Sequence, residues 1–395
     1  MISVAEAEAR IIAALRTTDA ETVAIAEAAG RVLAAAATAK FDQPPAPVSA
    51  MDGYAVRADD TTGLPASLRV IGASPAGHPF NGNLNEGEAV RIFTGGVVPS
   101  GADAIVIQED TEARADSVLI KSAAKPGQHI RKAGLDFAKD SVLAAAGKRL
   151  TARDVALLAA GDVASVSVHR KPVIAFAATG DELSRPGEAR KQGGIVASSG
   201  YGLAEMITRW GGEAHDLGIF PDTAEAIARI ADADADLIVT LGGASVGDHD
   251  LVQKALGPKG FALDFWKIAM RPGKPLIFGM LGGTPLLGLP GNPVSSLVCA
   301  MLFLRPAITA LLGADTKAEL RAATLIRDLP ANDQRQDYLR ARTEVRDGKL
   351  CVEAFMIQDS SMLSILAKAN ALIVRPPNAS AAKAGDQVDI LPLEL

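Results

Sequence analysis

The chain has 395 residues, of which 48% are hydrophobic and 22% are charged, values typical of a folded protein with two to four domains. A net charge of −6 and an aromatic content of 4% argue against nucleic-acid coating or base stacking, so we expect no nucleic-acid partner. The longest apolar run, Leu297–Leu304, is too short to cross a bilayer, and the first residues do not resemble a signal peptide. The two cysteines, Cys299 and Cys351, predict isolated reduced thiols. We therefore expect a cytoplasmic protein without membrane contact.

The two ends of the first 170 residues have helical patterns. A capping box at Ser3–Glu6 precedes an apolar face, and a second alanine-rich stretch covers residues 21–39, so we expect helices in both. Helical periodicity returns over Thr151–Ala160. The pattern predicts a split helical N-terminal and linker domain made of residues 1–47 and 136–170.

The region between these pieces has a different character. Gln43–Pro47 contains three prolines and marks a boundary, and residues 48–135 alternate short β-type runs with clusters of Gly, Pro, Asn and Asp. This predicts an inserted β-rich domain over residues 48–135. Within it, Asp52-Gly53 is typical of a hairpin turn. The predicted strands are Leu68–Ile71, Ala89–Phe93, Ala104–Ile107 and Val118–Ile120.

The second half of the chain combines an α/β pattern with a β-rich tail. Strands alternate with helices over residues 171–320, which predicts a three-layer domain around a mostly parallel sheet, with ligands at the carboxyl ends of the strands. Residues 321–395 return to short β runs, consistent with a small β-barrel. The predicted fold class is therefore multidomain α/β plus β.

Two polar clusters follow buried strands of the α/β domain. Thr179–Glu182 follows the first, and Gly242–Asp250 follows another, with successive backbone amides that can form an anion nest. Asp248 and Asp250 are oxygen ligands at a spacing that suits a hydrated Mg²⁺. The alternative interpretation is that these acids are solvated and cap the next helix.

A run of cations and a proline-rich loop complete the candidate chemistry. Three cations, Lys267, Arg271 and Lys274, lie within one segment of eight residues, although the protein as a whole is acidic. We expect a turn at Pro272-Gly273 to point their side chains in different directions. Such cations suit a metal-bound polyphosphate or another oxyanion, although a solubilising surface patch would have the same sequence. Pro290–Pro293 leads directly into a helix N-terminus, which also favours anions.

Taken together, these segments resemble the molybdopterin molybdenumtransferase family, the MoeA-like enzymes that insert molybdate into molybdopterin. Six separated motifs in the family's order carry the resemblance over essentially the whole chain. They are Ser49-Ala-Met-Asp-Gly-Tyr-Ala-Val56, Thr94-Gly-Gly-Val-Val-Pro-Ser-Gly-Ala-Asp103, Thr179-Gly-Asp-Glu-Leu183, Gly242-Gly-Ala-Ser-Val-Gly247 with Asp250, Arg271-Pro-Gly-Lys-Pro275 and Gly288-Leu-Pro-Gly-Asn-Pro-Val-Ser295.

The resemblance implies four domains and an elongated homodimer, in which the inserted β module of one subunit closes the pterin-binding cleft of the other. The implied reaction converts adenylylated molybdopterin and molybdate, with Mg²⁺, into the molybdenum cofactor and AMP. The molybdopterin adenylyltransferase is a candidate partner. Two alternative functions stay open: a molybdopterin adenylyltransferase, which resembles residues 171–320 alone, and a non-catalytic dimeric scaffold of the same fold.

By matching position, the resemblance also implies a set of functional residues. One departure is Arg271, which stands where some members carry Lys. The expected catalytic residues are Asp52, Thr94, Glu182, Asp250, Lys267, Arg271 and Lys274. The expected substrate-binding residues are Arg131, Asp136, Asp222, Gly242, Gly243, Ser245, Gly247, Pro290, Gly291, Pro293, Ser360 and Ser361. The expected metal ligands are Asp248, Asp250 and Glu182.

Overall fold

The computed structural model describes residues 1–243, 251–317 and 319–393. The chain forms two compact units, one made of residues 1–21, 30–34 and 168–395 and the other of residues 22–29 and 35–167. The α-helices are α1 (Val4–Ala13), α2 (Ala152–Ala160), α3 (Ser199–Trp210), α4 (Ala224–Ala228), α5 (Leu251–Leu256), α6 (Pro293–Cys299), α7 (Arg305–Leu311) and α8 (Leu363–Leu366).

The smaller unit contains a six-stranded, mostly antiparallel sheet. Its strand order is β7-β4-β6-β5-β9-β8, and its apolar side chains pack into two small cores. The four strands predicted in this region are present, and Ala104–Ile107 has the predicted ends. The strands of this part of the chain are β1 (Ala20–Ala24), β2 (Ala37–Thr38), β3 (Val48–Ser49), β4 (Gly53–Val56), β5 (Ala66–Ser74), β6 (Glu88–Ile92), β7 (Ala104–Ile107), β8 (Thr111–Ala113), β9 (Ser117–Ile120), β10 (Ile130–Arg131), β11 (Val142–Ala144) and β12 (Ser165–His169).

Two local predictions in this region were wrong. The alanine-rich stretch 21–39 forms β1, a single 3₁₀ turn at Ile25–Glu27, and β2 instead of a helix. Alanine's helix propensity is a weak preference, which backbone pairing with distant strands overrides. Asp52-Gly53 is not a hairpin turn either, because Gly53 begins the buried strand β4, between β6 and β7.

The α/β layer of the larger unit is built on a six-stranded sheet in the order β16-β13-β17-β21-β20-β18. The first four strands are parallel, and β20 and β18 add an antiparallel edge. Apolar cores cover the sheet, and the larger one includes the buried faces of α1, α3, α6 and α7. The strands are β13 (Val173–Thr179), β14 (Leu183–Ser184), β15 (Ile195–Val196), β16 (Glu213–Phe220), β17 (Leu237–Leu241), β18 (Phe261–Lys267), β19 (Met270–Arg271), β20 (Pro275–Leu281) and β21 (Thr284–Leu289).

The helical stretch Pro293–Leu311 is the central core element of this layer. It consists of α6, a π-helical segment at Ala300–Leu304 and α7. Its 19 residues and its mean hydropathy of 1.8 would suffice for a membrane span, but 78% of this apolar window is buried inside the protein. Burial against the sheet accounts for its apolar composition.

The C-terminal strands close into a five-stranded barrel. The order is β23-β24-β22-β26-β25, and pairing between β25 and β23 closes the ring. A compact apolar core fills the barrel. This matches the barrel expected from the tail of the sequence. The strands are β22 (Arg321–Leu325), β23 (Gln336–Arg346), β24 (Lys349–Ala354), β25 (Ala371–Arg375) and β26 (Gln387–Pro392).

Candidate functional site

Three loops meet where the parallel strands end. The β13, β17 and β21 strands run in the same direction, so the residues after Thr179, Leu241 and Leu289 emerge at one edge of the sheet. The amide of Gly242 donates a hydrogen bond to the carbonyl of Leu289, at 3.1 Å. Gly242 has φ +99°, and a Cβ there would lie 2.8 Å from the carbonyl oxygen of Thr179. A glycine is therefore required for the loops to approach so closely.

Carboxylates gather at the end of β13. Asp181 and Glu182 follow this strand directly, and the Oδ1 atom of Asp181 accepts a hydrogen bond from the amide of Asp222, at 3.3 Å. Partial desolvation raises the pKa of Asp222, and the negative charges of Asp181 and Glu182 raise it further. The structure thus brings the predicted Glu182 and Asp222 together and adds Asp181, which the sequence had not singled out.

This cluster has the oxygen chemistry and the excess negative charge that suit a hard dication. Within residues 1–243, 251–317 and 319–393, however, no three His, Cys, Asp or Glu side chains are close enough to form a complete cation site. The other predicted metal ligands, Asp248 and Asp250, lie outside the described residues, as do Ser245 and Gly247. Glu182 is therefore the one predicted metal ligand that lies within the described residues.

The predicted loop Pro290–Pro293 lies beside the predicted serines of the tail. Gly291 approaches Gly242, since a Cβ on Gly291 would be 3.7 Å from the Cα of Gly242. The side chain of Asn292 donates a hydrogen bond to the Oγ of Ser360, at 3.0 Å, and the carbonyl of Ser360 accepts one from Val294, at 3.2 Å. Pro293 begins α6. The strand-end site is therefore continuous with the segment around Ser360.

A buried arginine stands behind this segment. Arg340 on β23 is 1% exposed, and its Nε atom has no hydrogen-bond partner among the described residues. One of its terminal nitrogens donates to the carbonyl of Asp359, at 3.2 Å, and Ser361 donates to the carboxylate of Asp359, at 2.6 Å. Burial lowers the pKa of Arg340. Arg340 is thus linked, through the carbonyl of Asp359, to the segment that carries Ser360 and Ser361.

The three predicted cations lie in different surroundings. Lys267 places its ammonium 3.5 Å from the ring centroid of the exposed Trp266, a cation–π contact. Arg271 forms a two-bonded ion pair with Asp337 of the barrel. Lys274 is exposed. Gly273 has φ +106°, and the chain bends at Pro272, between Arg271 and Lys274.

The smaller unit carries the predicted pair Asp52 and Thr94. The Oδ1 atom of Asp52 accepts two hydrogen bonds from Thr94, one from its amide at 2.7 Å and one from its hydroxyl at 2.8 Å. The amide of Thr94, then its hydroxyl, and then the positive charge of Arg91 lower the pKa of Asp52. The carboxylate is therefore held ionised and oriented.

The other two predicted residues of this unit lie on neighbouring backbone segments. Strand β10 places Arg131 opposite Val48, one residue from Ser49, whose amide donates to Gly96 of the Thr94 loop. Arg131 is thus near the Asp52 loop, and its side chain is exposed. The exposed Asp136 is placed differently, because its amide pairs with the carbonyl of Gln43, at 2.9 Å.

Sequence reasoning missed Arg91 and Arg340. The contacts of Arg91 run to β4 and to Gln108, which are remote in sequence. Arg340 lies on β23, on the same face of the strand as the buried Tyr338. A charge on the apolar face of a strand was the available signal.

Comparisons with known proteins show the family to which the chain belongs. Profiles of the MoeA N-terminal region (domain I and II), a probable molybdopterin binding domain and the MoeA C-terminal region (domain IV) match residues 2–161, 175–310 and 322–393, respectively. The molybdopterin molybdenumtransferase of Nostoc sp. is 35% identical over 95% of this chain and 89% of its own. That of Haemophilus influenzae is 34% identical over 95% of this chain and 94% of its own.

A solved structure supports the same relationship. The molybdopterin biosynthesis MoeA protein from Pyrococcus horikoshii OT3 superposes with a TM-score of 0.86, at 28% identity, over 100% of both chains. This similarity confirms the predicted fold class, multidomain α/β plus β. The matched profiles, the full-length relatives and the shared fold place the chain in the molybdopterin molybdenumtransferase family of transferases.

Proposed function

We propose that this protein catalyses the Mg²⁺-dependent insertion of molybdate into adenylylated molybdopterin, with release of AMP and formation of the molybdenum cofactor. The observation that carries the proposal is the convergence of unlike chemistry at one edge of the parallel sheet. Carboxylates near Glu182, the glycine loop at Gly242 and the Asn292–Ser360 contact with the buried Arg340 behind it form one continuous surface. Acids suit a dication, and cations with hydroxyls suit oxyanions.

The acidic side of this surface would hold the metal. Glu182, with Asp248 and Asp250 from the neighbouring loop, would supply the oxygen ligands, and Asp222 would bind substrate beside them. Mg²⁺, when bound, would neutralise charge on the phosphate oxygens of the substrate. The backbone amides of the Gly242-Gly243 loop, with Ser245 and Gly247, would cradle the same phosphates.

The cationic side would bind the anionic substrates. Molybdate is a tetrahedral dianion, to which the guanidinium of Arg340 and the hydroxyls of Ser360 and Ser361 would donate hydrogen bonds. Lys267 and Lys274 would meet the phosphates of the adenylylated pterin. Arg271 would contribute less directly because Asp337 already compensates its charge. Pro290, Gly291 and Pro293 would shape the wall between the two sides.

We further propose that the protein acts as a cytoplasmic homodimer with a shared cleft. The set on the smaller unit, Asp52 and Thr94 with Arg131 and Asp136, would close the strand-end site of the other subunit. The ionised, oriented Asp52 supports this role, because such a carboxylate can bind an external cation or accept a hydrogen bond from an external donor. A molybdopterin adenylyltransferase would deliver the substrate.

The test is conversion of adenylylated molybdopterin to AMP by the purified protein. We expect molybdate- and Mg²⁺-dependent AMP release without added ATP, together with a product that activates an apo-molybdoenzyme. Activity that requires ATP and unmodified molybdopterin would instead identify an adenylyltransferase. A protein that binds the pterin but releases no AMP under any of these conditions would be a scaffold, and the proposal would be wrong.

A further inference from the structure

The peptide between Asp52 and Gly53 is fixed between two strands. Strand β4 begins at Gly53, which lies opposite Ile92 on β6 and Ile107 on β7. A Cβ at position 53 would lie 2.0 Å from the carbonyl oxygen of Val106, so the neighbouring backbone occupies the space of a side chain. The backbone that carries Asp52 is therefore held tightly where it enters β4. Arg91 adds further contacts to the same backbone.

Arg91, on the neighbouring strand β6, contacts the backbone at Gly53. Its Nη1 atom donates a hydrogen bond to the carbonyl of Gly53, at 3.0 Å, and its Nη2 atom donates one to the side-chain carbonyl of Gln108, at 2.9 Å. The amide of Gln108 in turn donates to the carbonyl of Asp52, at 3.0 Å. Arg91 therefore binds the carbonyl of Gly53 directly and is linked through Gln108 to the carbonyl of Asp52.

Two aromatic rings hold the guanidinium in this position. Its central carbon lies 5.1 Å from the ring centroid of Tyr54 and 4.9 Å from that of Phe93. Tyr54 is directly opposite Arg91 in the sheet, and Phe93 immediately precedes Thr94. A planar guanidinium can stack on rings while it donates in a fork, whereas a lysine ammonium supplies charge without either property.

The same guanidinium acts on Asp52 through its charge. After the two hydrogen bonds from Thr94, the positive charge of Arg91 is the next cause that lowers the pKa of this carboxyl. Both hydrogen bonds from Thr94 go to the Oδ1 atom of Asp52, and the Oδ2 atom has no hydrogen-bond partner within the described part of the chain. The direction in which Oδ2 points depends on the backbone that Arg91 braces.

We infer that Arg91, acting with Gln108, is a positioning residue for Asp52: it fixes the direction of the free carboxylate oxygen. The inference rests on the proposed function, in which Asp52 belongs to the active site. It adds to that site two residues that act through another group and need not touch the substrate.

The test compares Arg91→Gln, which removes the charge, with Arg91→Lys, which removes only the fork and the stacking. Arg114→Gln is the matched control, because Arg114 follows strand β8 of the same sheet and is exposed. AMP release is followed as a function of pH, and the carboxyl carbon of Asp52 is titrated by ¹³C NMR, assigned with Asp52→Asn. Thermal unfolding establishes that each variant is folded.

We expect Arg91→Gln to lower kcat about 10- to 100-fold, as small misplacements of catalytic groups do, with KM little changed. The acid limb of its pH profile and the NMR titration of Asp52 should both move to higher pH. Arg91→Lys should lower kcat while leaving the titration near that of the parent. If Arg91→Gln does not fold, the turnover of Arg91→Lys alone tests the inference. Turnover equal to that of the parent, although the forked hydrogen bonds of the guanidinium are lost, would overturn it.

Failure of the inference and failure of the proposed function give different results. If the parent released no AMP, the proposed function would be wrong, and the NMR titration would still test the link between Arg91 and Asp52. Arg91→Gln could instead behave like the parent and like Arg114→Gln in turnover, in the acid limb of the pH profile and in the NMR titration. In that case Arg91 would have no positioning role.

Discussion

The guanidinium of Arg271 and the carboxylate of Asp337 lie edge to edge, with Nε 3.0 Å from Oδ1 and Nη2 3.0 Å from Oδ2. The side chain of Asp337 is 7% exposed, whereas that of Arg271 is 48% exposed. The arginine therefore compensates an acid that the barrel buries, and it joins β19 to β23 through side chains as well as backbone. Asp333 lies farther from the same guanidinium, at 3.9 Å.

This pair predicts that Arg271 contributes to stability. Arg271→Ala should lower the free energy of unfolding by about 1–2 kcal/mol, because it leaves the buried acid unpaired while solvent screens the exposed side of the pair. Arg271→Lys keeps the charge and should cost clearly less. Urea unfolding of both variants, with the exposed Lys274→Ala as control, measures this. Equal stability of the Ala variant and the parent would contradict a structural role.

The buried Arg340 should be the main determinant of oxyanion binding. A charge-assisted hydrogen bond contributes about 1.5–3 kcal/mol, so Arg340→Gln should weaken molybdate binding roughly 10- to 100-fold. Arg342→Gln is the matched control, because this exposed residue is two positions along the same strand. Calorimetric titration of molybdate against folded variants decides the matter. Unchanged affinity in Arg340→Gln would mean that this cation serves only the barrel.

Asp154 predicts a specific loss of stability in acid. Its carboxylate accepts a hydrogen bond from Lys148, at 2.5 Å, and others from the amide and hydroxyl of Thr151, at the start of α2. These bonds, that of Lys148 first, lower the pKa of Asp154 to about 2. Because the folded pKa lies below the ordinary value of 3.8, the stabilisation is complete above that value and disappears as the pH falls toward 2.

The measurement is the stability of Asp154→Asn relative to the parent across this range. We expect the variant to be less stable at pH 7 and the difference to shrink between pH values of about 4 and 2. The exposed Asp116→Asn should show no such trend. A difference that stays constant down to the acid end would exclude the carboxylate as its source.

The shared cleft predicts complementation between inactive chains. An Asp52→Ala chain and a Glu182→Ala chain, mixed and allowed to exchange subunits, should regain about a quarter of parental activity, because half of the dimers are mixed and each has one intact site. If both residues serve a site within one chain, no mixed dimer has an intact site. Lack of recovery after verified exchange would therefore rule out the shared cleft.

Elements with a strong local pattern could be predicted from the sequence. The apolar runs between turn residues predict strands at Thr284–Leu289 and Ala371–Arg375, and both strands have these ends. Strands β18 and β22 were missed, since Phe261–Lys267 mixes charged and aromatic residues and Arg321–Leu325 is rich in alanine. Their strand state comes from neighbours across the sheet rather than from local preference.

Part of the candidate site could also be predicted from the sequence. The strand-end loops were located because parallel strands end at one edge. The resemblance named Asp52 and Thr94, but their pairing appears only in the structure. Arg91 and Arg340 could not be assigned, because their roles depend on contacts with Gly53, Gln108 and Asp359 that only the folded chain brings together. The compensation of Arg271 by Asp337 was hidden for the same reason.

The π-helical segment at Ala300–Leu304 sets the rotational phase of the helix that leads away from the strand-end site. A π turn accommodates one residue more than an α turn would, so it acts like a one-residue insertion. If the same residues formed a regular α-helix instead, the extra residue would rotate α6 relative to α7 by about 100°, whereas the π turn keeps the two helices in phase. Val294 and Val298 would then turn away from the core they now fill, and Asn292 would lose its alignment with Ser360. The π segment therefore keeps the beginning of this helix aligned with the site while its apolar residues stay packed in the core.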